Sequence, residues 1–218
     1  MILDPMQIFV VSIIPVLLAI TVHEAAHGYA AKHFGDKTAF FLGRITLNPL
    51  KHIDPVGTIL LPGFLLLIAY YQKSPIFLFG WAKPVPVNFS NLRNPKKDMM
   101  WVALAGPASN FIMAILWAML LSLFVSSDMS YALFIVSMAK VGIMINLVLM
   151  LLNLIPIPPL DGGRIAISFL PNPWAYRMAE LERYGMFIVI FLFFSGFLSN
   201  FLWPMVRFFQ NLLVGIIL

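Results

Sequence analysis

His23, Glu24 and His27 form an H-E-x-x-H pattern within T-V-H-E-A-A-H-G-Y-A, residues 21 to 30, inside a strongly apolar tract. On a helix, residues four apart are separated by about 40° around the axis and about 6 Å along it, so both imidazoles can reach one metal ion. Glu24, beside the first ligand, can approach a water activated by that metal as a general base. The bland alternative is a chance match. Burying His, Glu and His in hydrocarbon without a purpose is costly, however, and ionisable residues inside a membrane are functional candidates by default. The chain has no cysteine, so nitrogen or oxygen must hold any metal.

Two histidines leave a catalytic zinc site incomplete, because such sites usually carry three protein ligands and an open position for water. The third is expected from N-L-I-P-I-P-P-L-D-G-G-R-I, residues 153 to 165. Pro156, Pro158 and Pro159 interrupt a helix there, and Gly162 and Gly163 allow backbone conformations that other residues resist. Asp161 is therefore presented on irregular backbone at membrane depth, which is tolerated only where it is buried in protein or lines a wet cavity. Its alternative role is to cap a short helix beginning at Arg164, or to pair with that arginine. Asn153 can place its amide near a reacting carbonyl and stabilise a developing oxyanion. It can equally satisfy helix backbone beside the prolines.

Other polar residues have simpler readings. His33 follows His23 by ten positions, about 280° around the helix, and faces away from the ligands. His52 precedes Asp54-Pro55, a cap and first-turn pair for the next helix, and reads as a loop residue. Asn110 suits hydrogen bonding between helices better than chemistry. The aromatic tract near residues 187 to 197 reads as lipid-facing.

The elements that must position these groups are membrane helices. Of 218 residues, 61% are hydrophobic and 11% charged, against roughly a quarter charged in an ordinary soluble domain. Long apolar blocks run over Met6 to His33, Pro55 to Tyr71, Met99 to Ser126, Tyr131 to Ile155 and Tyr184 to Leu218, the last with a break expected near Ser199 to Pro204. This predicts an all-α polytopic membrane protein with five or six transmembrane helices. It is expected to form one domain over residues 1–218, with a core of about 6–170 and C-terminal helices of about 184–218. The first block lacks the basic start and the processing site of a cleavable signal peptide. Net charge is +5, scattered over loops without a basic run interleaved with aromatics, so the lipid bilayer is expected as partner and nucleic acid is not.

Two connections are unusual. Phe34 to Asp54 combines alternating β-prone residues with Gly and Asn-Pro punctuation, which predicts a short β hairpin at the membrane surface. Gln72 to Asp98 is too proline-rich for a helix and too apolar for a solvated loop, which predicts a strand or re-entrant element against the bundle. Lys32, Lys37, Arg44 and Lys51 place the end of the first span in the cytoplasm. Lys73, Lys83, Arg93, Lys96 and Lys97 should lie there too, although one further apolar block separates the two groups. Pro62-Gly63 could turn that block back. Ending near His33, the first helix puts His27 about 9 Å from the cytoplasmic end.

H-E-A-A-H at 23 to 27, G-P-A-S-N at 106 to 110 and N-L-I-P-I-P-P-L-D-G at 153 to 162 together resemble the site-2 protease family of intramembrane zinc metalloproteases. The resemblance covers most of the chain and points to the compact branch, without the extra leading span and inserted PDZ domain of many relatives. It implies that His23, His27 and Asp161 bind one zinc ion, that Glu24 activates water and that Asn153 assists at the transition state. It also implies a three-helix core and cleavage of a substrate's transmembrane helix near the cytoplasmic side. A multi-pass protein of a prokaryotic cell membrane is the expected setting.

An extended substrate is expected to pair with a strand edge around Pro84 to Phe89 by β-addition. The competing function is a zinc transporter or metal sensor, since a broken helix beside intramembrane ligands also describes transporters. A catalytically silent binding module is a third reading. Glu24 discriminates among them, because hydrolysis needs a base and metal passage does not.

Overall fold

The long apolar runs carry good helix formers and few breakers, and in hydrocarbon a helix satisfies its own backbone groups. The computed structural model, which describes residues 5–72, 80–129 and 131–217, is accordingly helical, with no strand among the described residues. Three helices have the length and hydropathy to cross a membrane, namely α1 (Pro5–His33) from Phe9 onward, α4 (Pro95–Phe124) and α5 (Ala132–Asn153). Between the first two lie the four-residue α2 (Thr38–Phe41) and α3 (Leu61–Gln72), and after them come α6 (Asp161–Phe169), α7 (Asn172–Glu180), α8 (Glu182–Phe194) and α9 (Phe197–Ile217).

Lipid tails are as apolar as leucine, so these helices associate through close packing and buried polar contacts, and small residues mark the seams. Helices α1, α4 and α5 pack on one another, and α9 covers α5 and α4. Ala114 and Ala118 of α4 meet Ala139, Ile143 and Leu147 of α5 in a fully buried seam, closed on the outside by Val206 and Leu213 of α9. Trp117 lies flat on Gly142, where an added Cβ would come within 2.3 Å of the indole. Ala19, Ala25 and Ala31 of α1 are buried small residues on different sides of the helix.

Several sequence expectations are corrected here. Residues 34–54 do not form a hairpin. The buried Asp36 carboxylate accepts from the amide and hydroxyl of Thr38, and the chain turns into α2 before a short 3-10 turn at Pro49–Lys51. Local side-chain capture of the backbone thus overrides β-propensity. Residues 80–88 carry no regular secondary structure and pair with no strand among the described residues. Pro62-Gly63 does not reverse the chain, because a π-helical turn at Pro55–Leu60 runs directly into α3. The C-terminal break falls at Ser195–Gly196, where Gly196 adopts φ +75°, while α9 continues through Pro204.

The two basic groups share one end of the bundle. The Trp81 amide donates to Gly57 O and the Lys83 amide to His52 O, so the chain returns after α3 to the point where it left. Arg93 then donates to the His33 carbonyl at the end of α1. The chain thus leaves that end at Pro55 and is back at it by Trp81, which removes the conflict between the two sets of lysines. Lys73 lies outside the described residues.

Candidate metal centre

On α1, His23 and His27 stand one turn apart with their rings edge to face, centroids 4.6 Å apart. Their Nε2 atoms approach to 3.0 Å. Asp161 arrives from the far side of the sequence at the first residue of α6, and its Oδ2 lies 3.3 Å from each of those nitrogens. The glycines make this approach possible. A Cβ on Gly162 would sit 2.3 Å from Leu154 O, and one on Gly163 would sit 2.3 Å from Pro158 N. The start of α6 therefore rests directly on the proline turn that follows α5. Asp161 is not a cap, since α6 starts at Asp161 itself and Leu160 is its N-cap residue. Nor does it pair with Arg164, which binds Glu182 at 2.8 Å.

The outer nitrogens of the imidazoles are fixed from behind. Nδ1 of His27 faces Val102 O at 2.7 Å, and a carbonyl can only accept, so Nδ1 carries a proton and Nε2 is the nitrogen left to face the centre. Nδ1 of His23 faces Asn110 Oδ1 at 2.6 Å. Metal-ligating histidines characteristically make this kind of outer hydrogen bond. Gly106 leaves the room for both rings, as its Cβ would fall 2.4 Å from His27 Nε2 and 2.6 Å from His23 Cε1.

The donor set fits a small tetrahedral cation. Ligand bonds of 2.0–2.1 Å at tetrahedral angles separate donors by about 3.3 Å, close to the 3.0 and 3.3 Å found here. Asp161 Oδ2 is buried and accepts no hydrogen bond, so a carboxylate oxygen and two imidazole nitrogens converge on one point. These three side chains are a group that could hold a metal ion.

Glu24 lies beside the centre, its Oε2 accepting from the Val85 amide at 2.7 Å. The segment 80–88 thus touches the site through Val85. Its far end is tied down at Asp36, which accepts from the Asn88 amide and the Asn91 side chain. Pro84 and Pro86 have no N–H, so at those two positions a pairing chain would find acceptors only. Arg44 already donates to the Lys83 and Pro84 carbonyls.

The chain matches the sequence profile of peptidase family M50 over residues 11–137 and 121–196. It is 38% identical over 207 residues to "Putative zinc metalloprotease YwhC" of Bacillus subtilis (strain 168), covering 93% of this chain and 89% of the relative. It belongs to family M50, the site-2 protease family. A second M50 relative, "Putative zinc metalloprotease Rip2" of Mycolicibacterium smegmatis, is 32% identical, with 93% of this chain and 73% of the relative aligned. A third, of the same printed name from Mycobacterium tuberculosis (strain ATCC 25618 / H37Rv), is 27% identical over 88% of this chain and 70% of its own length. No solved structure matches.

Within this M50 chain, the remaining site residues divide clearly. His33 is exposed, gives its carbonyl to Arg93 and packs its ring edge to face on Phe34. His52 is buried away from the centre, with Nε2 on Thr46 O at 2.9 Å. The Asn153 amide donates to Leu149 O at 3.0 Å, within its own helix. Asn110 joins three helices, as expected of an interhelical amide. Sequence reasoning missed the Val102 carbonyl, the Val85 amide and Asn146, which is fully buried and accepts from Asn110. The first two are backbone atoms with no residue signature. A lone amide in the apolar run I-M-I-N-L-V-L-M was a signal for the third.

Proposed function

We propose that this chain is an intramembrane zinc endopeptidase that hydrolyses peptide bonds within or near the transmembrane helices of membrane-protein substrates. The observation that carries the reading is the convergence of His23 Nε2, His27 Nε2 and the unpartnered Asp161 Oδ2 at 3.0–3.3 Å, next to a glutamate on the following residue. The family membership and the relatives' printed names support zinc and peptide hydrolysis.

Zinc held by His23, His27 and Asp161 would supply a Lewis acid and an acidified water at neutral pH. Glu24 would take the proton from that water and pass it to the leaving amine. Val85 N–H holds one carboxylate oxygen and so fixes the direction in which the other can act. Asn153 Nδ2 would leave Leu149 O and meet the charge developing on the scissile carbonyl oxygen. An unwound substrate lying along residues 80–88 would donate its own amides to carbonyls of that segment.

The basic end of the bundle, with Lys32, Lys37, Arg44, Lys51 and Arg93, is the proposed cytoplasmic face. The centre would lie near that face of a multi-pass protein in the cell membrane. Helices α3, α8 and α9 would bring the number of membrane-embedded helices to the five or six expected from hydropathy, all within one domain.

A zinc transporter or sensor would need the ligands but not the base. Purified protein incubated with a panel of single-span substrates therefore separates the functions. Glu24→Gln should retain zinc and lose cleavage by about 100-fold or more. Wild-type cleavage by that variant, with zinc retained, overturns the assignment.

A further inference from the structure

Behind His23 runs a chain of buried amides whose polarity is set by main-chain carbonyls. Asn146 Nδ2 on α5 donates to Gly142 O at 2.8 Å. This turns Asn146 Oδ1 toward α4, where it accepts from Asn110 Nδ2 at 3.0 Å. The same Nδ2 donates to Ala19 O of α1 at 3.2 Å. With both its protons spent on acceptors, the Asn110 amide must present Oδ1 to His23 Nδ1, 2.6 Å away. An oxygen with no proton requires a donor opposite, so His23 carries a proton on Nδ1, and its neutral form has Nε2 as the nitrogen free to bind a metal. Both asparagines are fully buried.

We propose that Asn146 is a positioning residue for the metal centre, acting through Asn110 to fix the tautomer and orientation of His23 from the third membrane helix. The consequence for metal affinity rests on the zinc reading above; the consequence for the tautomer does not. Buried polar groups in a membrane bundle are retained where they specify geometry, and outer-shell partners of a ligating histidine typically change metal affinity 10- to 100-fold when removed.

The test uses the full chain in detergent, with the 15N spectrum of histidine in the metal-free protein and zinc affinity by chelator competition. The His23 resonances are assigned from their loss in His23→Gln. Asn146→Leu and Asn146→Ala should convert His23 from a single Nδ1–H form to a mixture and weaken zinc about 10-fold. Asn110→Leu should do more, and Asn110→Leu/Asn146→Leu no more than Asn110→Leu alone, because Asn146 acts only through Asn110. Leu147→Ala, next to Asn146 in the same buried seam, should leave both readouts unchanged. An unaltered His23 tautomer in either Asn146 variant, additive losses in the double variant, or an equal shift in Leu147→Ala overturns the inference. Failure of wild-type protein to bind zinc would instead strike the zinc reading and leave the tautomer result to stand or fall alone.

Discussion

The Val85 amide donates to the Glu24 carboxylate at 2.7 Å, although 61 residues and the α3 excursion separate them in the chain. The assigned base is thereby held by backbone outside its own helix. Val85→Pro removes the N–H together with the buried valine side chain, so Val85→Ala, which keeps the N–H, is the control. Cleavage of a single-span substrate should fall at least 10-fold in Val85→Pro while zinc stoichiometry stays at the wild-type value, since no metal ligand is touched. Loss of zinc along with activity would show instead that the segment supports the ligands themselves.

Gly106 is the one position of α4 where the imidazoles admit no side chain, a Cβ there reaching within 2.4 Å of His27 Nε2. Gly106→Ala must displace one ring or separate α1 from α4. Bound zinc should drop below a tenth of one equivalent per chain under stringent dialysis, whereas Ala108→Gly on the same helix should bind normally. Full zinc occupancy in Gly106→Ala would contradict the packing described for the centre.

Asp36 ties the segment 80–88 to the end of α1. Burial pushes its carboxyl up, but hydrogen bonds from the Thr38 hydroxyl and amide, the Asn88 amide and the Asn91 side chain outweigh burial and hold it below the ordinary carboxylate value. A depressed pKa stabilises the folded form above the unfolded value near 4, and that stabilisation is lost as pH falls through the lower folded value. Hydrogen-exchange protection factors at Thr38 and Asn88 should therefore be constant from pH 7 to 5 and fall below about pH 4. Asp36→Asn should show the low protection at every pH. Equal protection in the variant and the wild type at pH 7 would rule out this anchor.

Asn153 spends its amide on Leu149 O, so its removal should cost little stability. Asn153→Ala should reduce kcat by about 100-fold, the typical cost of one oxyanion donor, with KM nearly unchanged. A rise in KM alone would make Asn153 a substrate-binding residue.

The centre was legible in the sequence because its chemistry restricts residue types. Two histidines at helical spacing and an aspartate after a proline-broken helix leave few other readings in so apolar a chain, and Asn110 was identifiable as a lone amide within a span. The connections were less legible. The hairpin expected at residues 34–54 rested on β-prone side chains, whereas Asp36 takes up the local amides and Gly35 and Gly43 turn the chain at φ +117° and +62°. The C-terminal break is expected near Ser199 to Pro204, yet α9 runs through that stretch and the chain turns at Gly196. In a membrane bundle neighbouring groups can resatisfy backbone freed by proline, so glycine with positive φ is the stronger stop. That Val85 meets Glu24 depends on one main-chain amide reaching a side-chain carboxylate across 61 positions, which no local pattern encodes.

The most direct test of the account is zinc K-edge absorption on the purified chain and on Asp161→Ala. Wild type should hold one zinc per chain with nitrogen and oxygen ligands at about 2.0–2.1 Å, two of them imidazole, and no sulfur. Asp161→Ala should lose most of that zinc or show one fewer protein oxygen. A variant that keeps one zinc with an unchanged ligand shell would contradict the claim that His23, His27 and Asp161 form a single metal centre.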